Sequence, residues 1–292
     1  MRPLARRTAV APTLTGGRLH LQDGPIDLVI KAEGAPDDVQ EAYRQAITAF
    51  EGLLAELARE LPELRRPLGA EPHRLRHPVA RAMAEACRPH ERLWVTPMAA
   101  VAGSIADHVL AALIEERSLT RAWVNDGGDI AVHLAPGESL DIGLVADLAD
   151  WGPSGQVTLT HDLPTRGLAT SGRQGRSLSR GLADAVTVLA ASAAEADVAA
   201  TLIANAVDLE DHPNVRRRPA CEIDSDSDLS ALPVVTAVGP LSPNEIETAL
   251  TAGAQLAAQM HRAGLIHAAL LSLREQSRAV PDRQEETSLP WT

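Results

Sequence analysis

The stretch from Ala185 to Val207 leaves this chain few options. Ala185 to Ala190 is a short apolar run rich in β-branched residues, the pattern of a buried strand. Ser192 then stands where a helix cap belongs, with Glu195 three places on to complete a capping box. From Ala196 to Val207 nearly every position is small or apolar, which predicts a helix enclosed on most sides.

Four polar residues interrupt that helix: Asp197, Thr201, Asn205 and Asp208. Steps of three and four put them on one stripe. A carboxylate on a largely buried helix is costly unless a charge or several donors meet it. Asp197 and Thr201 can aim two oxygens at one point, a pair that suits Mg²⁺ or Ca²⁺. A polar edge, or an Asp bonded to nearby backbone, would leave the same short pattern.

The segment Gly167–Gly181 reads as a glycine and arginine loop. Arg166, Arg173, Arg176 and Arg180, with hydroxyls at Thr170, Ser171, Ser177 and Ser179, suit a phosphorylated ligand. A solvated flexible loop has the same composition. Further upstream, β-like runs at Ala122–Val124 and Asp129–Leu134 flank Asn125-Asp126-Gly127-Gly128. That is a hairpin signal, and its glycines also expose N–H groups able to hold a phosphate or carbonyl oxygen.

The whole chain sets outer limits. With 292 residues and 45% hydrophobic content it can build a real core, but at 2% aromatics Ala, Leu and Val must fill it. A net charge of −12 and the scarcity of stacking aromatics argue against nucleic-acid binding. Cys87 and Cys221 form no CxxC or Cys/His cluster, so a cysteine-based zinc site is not expected, and a disulfide between them is left open. No apolar h-region follows the first arginines and no run of about 18 apolar residues is evident, so neither an export signal nor a membrane span is expected, and a cytoplasmic setting follows.

In chain order, residues 1–13 read as a loose arm. Strands are expected at Leu14–Leu21 and Asp27–Ala32, joined at Asp23-Gly24-Pro25. One helix from about Asp38 carries Ala42, Ala46, Ile47, Phe50, Leu54, Leu57 and Leu61, and Pro62 ends it. Arg65–His90 reads as a loop with solvated His73, His77 and His90. Thr96 is placed to cap a second helix with Pro97 in its first turn. Its small residues Ala99, Ala100, Ala102, Gly103 and Ser104 permit close approach, while Asp107 and His108 read as a surface pair. Strands are expected at Leu140–Val145, Gln156–Thr160 and Val234–Val238. Arg216–Arg218 reads as a basic turn. Asp224, Asp226 and Asp228 read as turn or cap residues, because Leu229 and Val235 stand where a calcium loop needs Gly and Glu. A last helix runs from Ser242-Pro243, with capping-box Glu245, to about Arg262. Leu265–Leu273 is a final apolar segment, and 274–292 a disordered tail.

Together VNDGGDI, GLATSG and ADAVTVLAASAAEADVAAT resemble the ApbE family of flavin transferases. With PMAAVAGSIAD, ATLIAN and CEIDSDSDL, the chain is more closely similar to an uncharacterised ApbE-like family of bacteria and archaea, over roughly residues 14–273. The resemblance implies an α+β fold of the ApbE-like (T-fold-related) kind, with mixed or antiparallel sheets packed with helices in a single domain. It implies binding of FAD or FMN with Mg²⁺, the transferases attaching FMN to a Thr or Ser of a partner protein. By this resemblance the metal ligands fall on Asp197, Thr201 and the Ala102 carbonyl. Gly127, Gly128 and Asp129 fall beside the nucleotide, and Thr170, Ser171 and Gly172 match the segment that lines the pocket; Asn125 and Arg173, next to these turns, are further candidates for binding the cofactor. The transferases carry a His…Asp-Pro-x-Thr-Gly segment where this chain reads SLSRGLADAVTV, so only Asp184 stands in for the catalytic acid. An enzyme acting on another phosphorylated or pterin-like metabolite, and a non-catalytic flavin-binding module, are the alternatives. A homo-oligomer is left open.

Overall fold

The computed structural model describes residues 13–144, 155–175 and 177–281. The chain begins with β1 (Thr13–Leu14), β2 (Arg18–Asp23) and β3 (Ile26–Gly34), then α1 (Pro36–Phe50), α2 (Leu53–Leu64) and α3 (Pro78–Cys87). A short 3₁₀ turn, Pro97–Ala100, leads into α4 (Val101–Ile114). Then follow β4 (Leu119–Asp126), β5 (Asp129–Leu134), β6 (Ser139–Leu144), β7 (Gly155–Thr160), β8 (Gly167–Ser171), β9 (Ala185–Ala190) and α5 (Ala193–Ala206). The last elements are β10 (Val215–Pro219), β11 (Pro233–Val238), α6 (Pro243–Arg262), β12 (Ala268–Leu273) and β13 (Gln276–Val280).

Nine strands form one antiparallel sheet in the order β1-β2-β3-β4-β5-β8-β9-β12-β13. Helices α1, α4, α5 and α6 pack along it. Alternation along each strand sorts the side chains. Val186, Val188 and Ala190 of β9 join the core under α5 and α6, while Leu189 joins Val132, Leu168, Val157 and Leu159 in the core shared with the β6–β7 hairpin. Both faces of β9 are therefore covered, and all its residues are buried. The fold is α+β with antiparallel sheets, as expected.

Several local expectations are corrected. The helix expected from Asp38 is two helices, because Gly52 adopts φ 78° between them. Pro62 lies inside α2 rather than ending it; it removes one i→i−4 hydrogen bond, and the helix runs only two residues further, to Leu64. The Arg65–His90 segment is not a loop throughout: α3 occupies its second half, opened by His77, whose Nδ1 accepts the Val79 N–H at 3.2 Å. His90 is buried rather than solvated. Thr96 precedes a 3₁₀ turn, and its hydroxyl donates to Asp228 at 2.5 Å instead of capping the helix. Arg216–Arg218 lie in strand β10, not a turn. The first part of the Gly167–Gly181 loop is strand β8. Residues 276–280, expected to be disordered, are edge strand β13. The expected arm at 1–12, Val145, Arg176 and the tail beyond 281 lie outside the described residues.

The segment Pro97–Ile114 is, by length and composition, apolar enough to cross a membrane, which corrects the expectation that no such run exists. Half of it is buried inside the fold, and α4 packs on α1, α5 and the sheet as a core helix.

Candidate functional site

Three backbone features meet at one end of the sheet. The first is the turn between β4 and β5. Asp126 pairs with Asp129 across Gly127 and Gly128, whose φ values of 67° and 118° favour glycine. Asn125 Oδ1 accepts the Gly128 N–H at 2.8 Å and locks the turn. The second is the N-terminus of α4. Gly103 packs so tightly on α5 that a Cβ there would lie 2.3 Å from the Ala193 carbonyl oxygen. The third is the first half of α5, where Ser192 accepts the Glu195 N–H at 3.2 Å.

Close contact between α4 and α5 brings Asp197 against the start of α4. Its Oδ2 accepts the Gly103 N–H at 3.1 Å, and the Ala102 N–H also bonds to its carboxylate. Protein atoms surround this carboxylate, yet the residue stays partly accessible to solvent. Burial raises its pKa to about 7. The Gly103 and Ala102 N–H groups oppose that rise, and the negative charges of Asp126 and Asp107 add to it.

Sequence alone does not mark Asp126 or Asp107 as site residues. Asp126 is buried, and its Oδ1 accepts the Asp27 N–H at 3.3 Å. Asp107 was expected at the surface. Instead its two oxygens accept the N–H groups of Ala193 and Ala194, at 3.1 and 2.9 Å, and so cap α5 from another helix. Burial pushes its pKa up to about 6 despite those bonds. The Cys87 thiol is also near enough to feel the charge of Asp197, and burial holds it protonated.

One turn along α5, the Thr201 hydroxyl meets Ser171 Oγ at 3.4 Å. Beside it, the Thr170 N–H donates to Asp129 Oδ1 at 3.3 Å, and the Thr170 and Thr187 hydroxyls are 2.8 Å apart. Gly172 lies so close to the backbone that a Cβ would be 2.4 Å from the Asp184 carbonyl oxygen. Arg173 reaches Asp184 Oδ1 at 2.5 Å, while the other Asp184 oxygen accepts the Arg274 N–H. The structure thus links Asp197 to Asp126 and Ala102, Thr201 to Ser171, and Asp129 to Thr170. Arg173 and Asp184 form a separate pair next to Gly172. Surface clefts of about 660 and 650 Å³ lie elsewhere, along α2 and α3 and along α6 and β13, and include none of these residues.

The fold is thus an antiparallel α+β arrangement with a glycine hairpin and a polar helix stripe at one end of the sheet. The chain belongs to the family described as AbpE bacteria, whose model matches residues 10–279. It is 41% identical over 128 residues to a UPF0280 protein of Methanopyrus kandleri, covering 44% of this chain and 48% of that protein. To a UPF0280 protein of Methanothrix thermoacetophila it is 37% identical over 135 residues, covering 44% and 52%. The chain spans about half the length of the curated relatives it matches. Among solved structures it overlays the apo flavinyl transferase ApbE of Pseudomonas stutzeri with a TM-score of 0.47 at 14% identity, over 94% of each chain. The ApbE protein of Thermotoga maritima overlays with a TM-score of 0.45 at 12% identity, over 66% of this chain and 88% of that one. Membership of the family rests on the family model, not on these loose overlays.

Proposed function

We propose that the space beside Asp197, between Thr201 and the glycine turn, binds a flavin nucleotide, FAD or FMN, together with Mg²⁺. The observation that carries this reading is a surrounded carboxylate, with a pKa of about 7, facing the charge of Asp126 beside the glycine turn. The donor set fits the ion. Asp197 and Thr201 offer oxygens, as a hard cation requires, and two backbone N–H groups do not exhaust a carboxylate's acceptor sites. Helical N–H and C=O groups point in opposite directions along the axis, so Ala102 serves the carboxylate as a donor, and this reading leaves its carbonyl out of the ligand set. Mg²⁺ supplies charge neutralisation at phosphoryl oxygens when bound. Gly127 and Gly128 let the backbone approach the ligand, Ser171 orients Thr201, and Arg173 provides a cation at the pocket wall.

Calorimetric titration of FAD with Mg²⁺ into the wild type and the Asp197→Ala/Thr201→Ala double variant tests the reading. Binding by the wild type and none by the double variant is expected; equal binding refutes it. A non-catalytic flavin-binding module is the second reading, favoured by one observation: the Asp184 carboxylate is ion-paired with Arg173 and also accepts the Arg274 N–H, which holds it ionised as an acceptor with no proton to donate. The protein should then bind FAD yet leave Thr- or Ser-bearing acceptor peptides unlabelled. Cys87 and Cys221 are both free, which fits a cytoplasmic, reducing setting.

A further inference from the structure

We infer that Trp94 and Arg180 form the ring-binding end of the nucleotide site, a platform for the planar heteroaromatic ring of a nucleotide whose phosphates lie toward Asp197 and Thr201. The inference rests on the flavin-nucleotide reading above. In a chain with 2% aromatics, Trp94 is 37% exposed although the residues after it are fixed. Val95 is buried and its carbonyl accepts the Leu68 N–H at 2.8 Å; Thr96 is buried and bonded to Asp228. Part of the indole is therefore open to solvent on a fixed backbone.

Arg180 lies over that ring, with its guanidinium carbon 5.9 Å from the centroid. Its backbone is pinned, since the Arg180 N–H donates to Asn205 Oδ1 at 3.0 Å. The Arg180 Nε is shielded from solvent and has no acceptor among the described residues. A buried donor without a partner is costly, and a ligand oxygen would satisfy it. The carboxylate of Asp208, bonded by the Leu209 N–H and by Arg217, also feels the Arg180 charge. An aromatic face beside an arginine donor suits a heteroaromatic ring that carries carbonyl oxygens.

Two routes tie this platform to the space beside Asp197. Asn205, which holds Arg180, is on the same α5 stripe as Thr201 and Asp197, and eight residues of helix span about 12 Å. On the other side, the Cys87 thiol feels Asp197 and donates to the Thr96 carbonyl at 3.4 Å, two residues from Trp94. An extended nucleotide can bridge that span.

The test is calorimetry with three probes in the presence of Mg²⁺, namely FMN, FAD and inorganic pyrophosphate, together with flavin emission. The proteins are the wild type, Trp94→Ala, Trp94→Phe, Arg180→Ala and Asp197→Ala. Trp94→Ala should weaken FMN and FAD roughly tenfold or more. It should leave pyrophosphate unchanged and abolish the quenching of flavin emission that stacking on the indole causes. Trp94→Phe should recover most of the affinity, which separates stacking from misfolding. Arg180→Ala should weaken both flavins as well. If Trp94→Ala and Arg180→Ala bind FMN like the wild type while Asp197→Ala does not, the platform is refuted and the flavin site stands. If the wild type binds neither flavins nor pyrophosphate, the flavin reading fails and the platform with it.

Discussion

A carboxylate with a pKa of about 7 makes stability depend on pH in one direction. An unfolded Asp titrates near about 3.9. Because folding raises the pKa of Asp197, its contribution is fully present below about pH 4 and is lost as pH rises through about 7. Asp107, at about 6, acts with the same sign over a slightly lower window. Without divalent cations, the melting temperature should fall between pH 5 and pH 8. Asp197→Asn should flatten that fall, and Mg²⁺ at pH 8 should restore the wild type only. Scanning calorimetry across pH would check this, and a wild-type curve unaffected by Mg²⁺ would count against the site. Gly103 gives a steric test at the same scale. A methyl group there meets the Ala193 backbone, so Gly103→Ala should cost about 1–3 kcal/mol in urea unfolding and loosen the packing beside Asp197.

At the scale of elements, α5 is held at its start by two unrelated residues. Ser192 caps it locally, and Asp107 caps it from α4. Ser192→Ala should cost about 1 kcal/mol. Asp107→Ala leaves two N–H groups without their acceptor and should cost about 1–3 kcal/mol, and it should also weaken Mg²⁺ binding because Asp197 is on the next turn. Equal losses of stability with unchanged Mg²⁺ affinity would show that Asp107 is only a cap. Strand β13 offers a second test. Ending the chain after Arg274 removes it and bares β12, which pairs with β13 from Ala269 to Leu273. A marked fall in melting temperature with concentration-dependent association is expected, read by calorimetry and size-exclusion chromatography. An unchanged melting curve would mean that the segment is dispensable.

For the molecule as a whole, what was legible in the sequence was what local chemistry decides. Strand Ala185–Ala190, the Ser192 cap, the Gly127-Gly128 turn and the helix from Pro243 to Arg262 with its Ser242/Glu245 box follow from periodicity, caps and turn residues. Helix α3 was hidden because a histidine opens it within a Pro- and Arg-rich stretch. Strand β13 was hidden because its polar residues gain their order from pairing with β12. In the candidate site, Asp197 and Thr201 were visible as one stripe of a buried helix. Asp126 and Asp107 were not, because only the packing of α4 on α5 and on the sheet brings their charges near Asp197. Asp126 did carry a weak signal, as an acid at a strand end directly before two glycines. In the proposed site a cation and a nucleotide share the space between Asp197, Thr201 and the glycine turn. Anomalous scattering from a crystal soaked with FAD and Mn²⁺ would locate the cation. A peak bonded to an Asp197 carboxylate oxygen and the Thr201 hydroxyl is expected, with flavin phosphate density beside it. A peak elsewhere, or none in crystals that hold the flavin, would rule the site out.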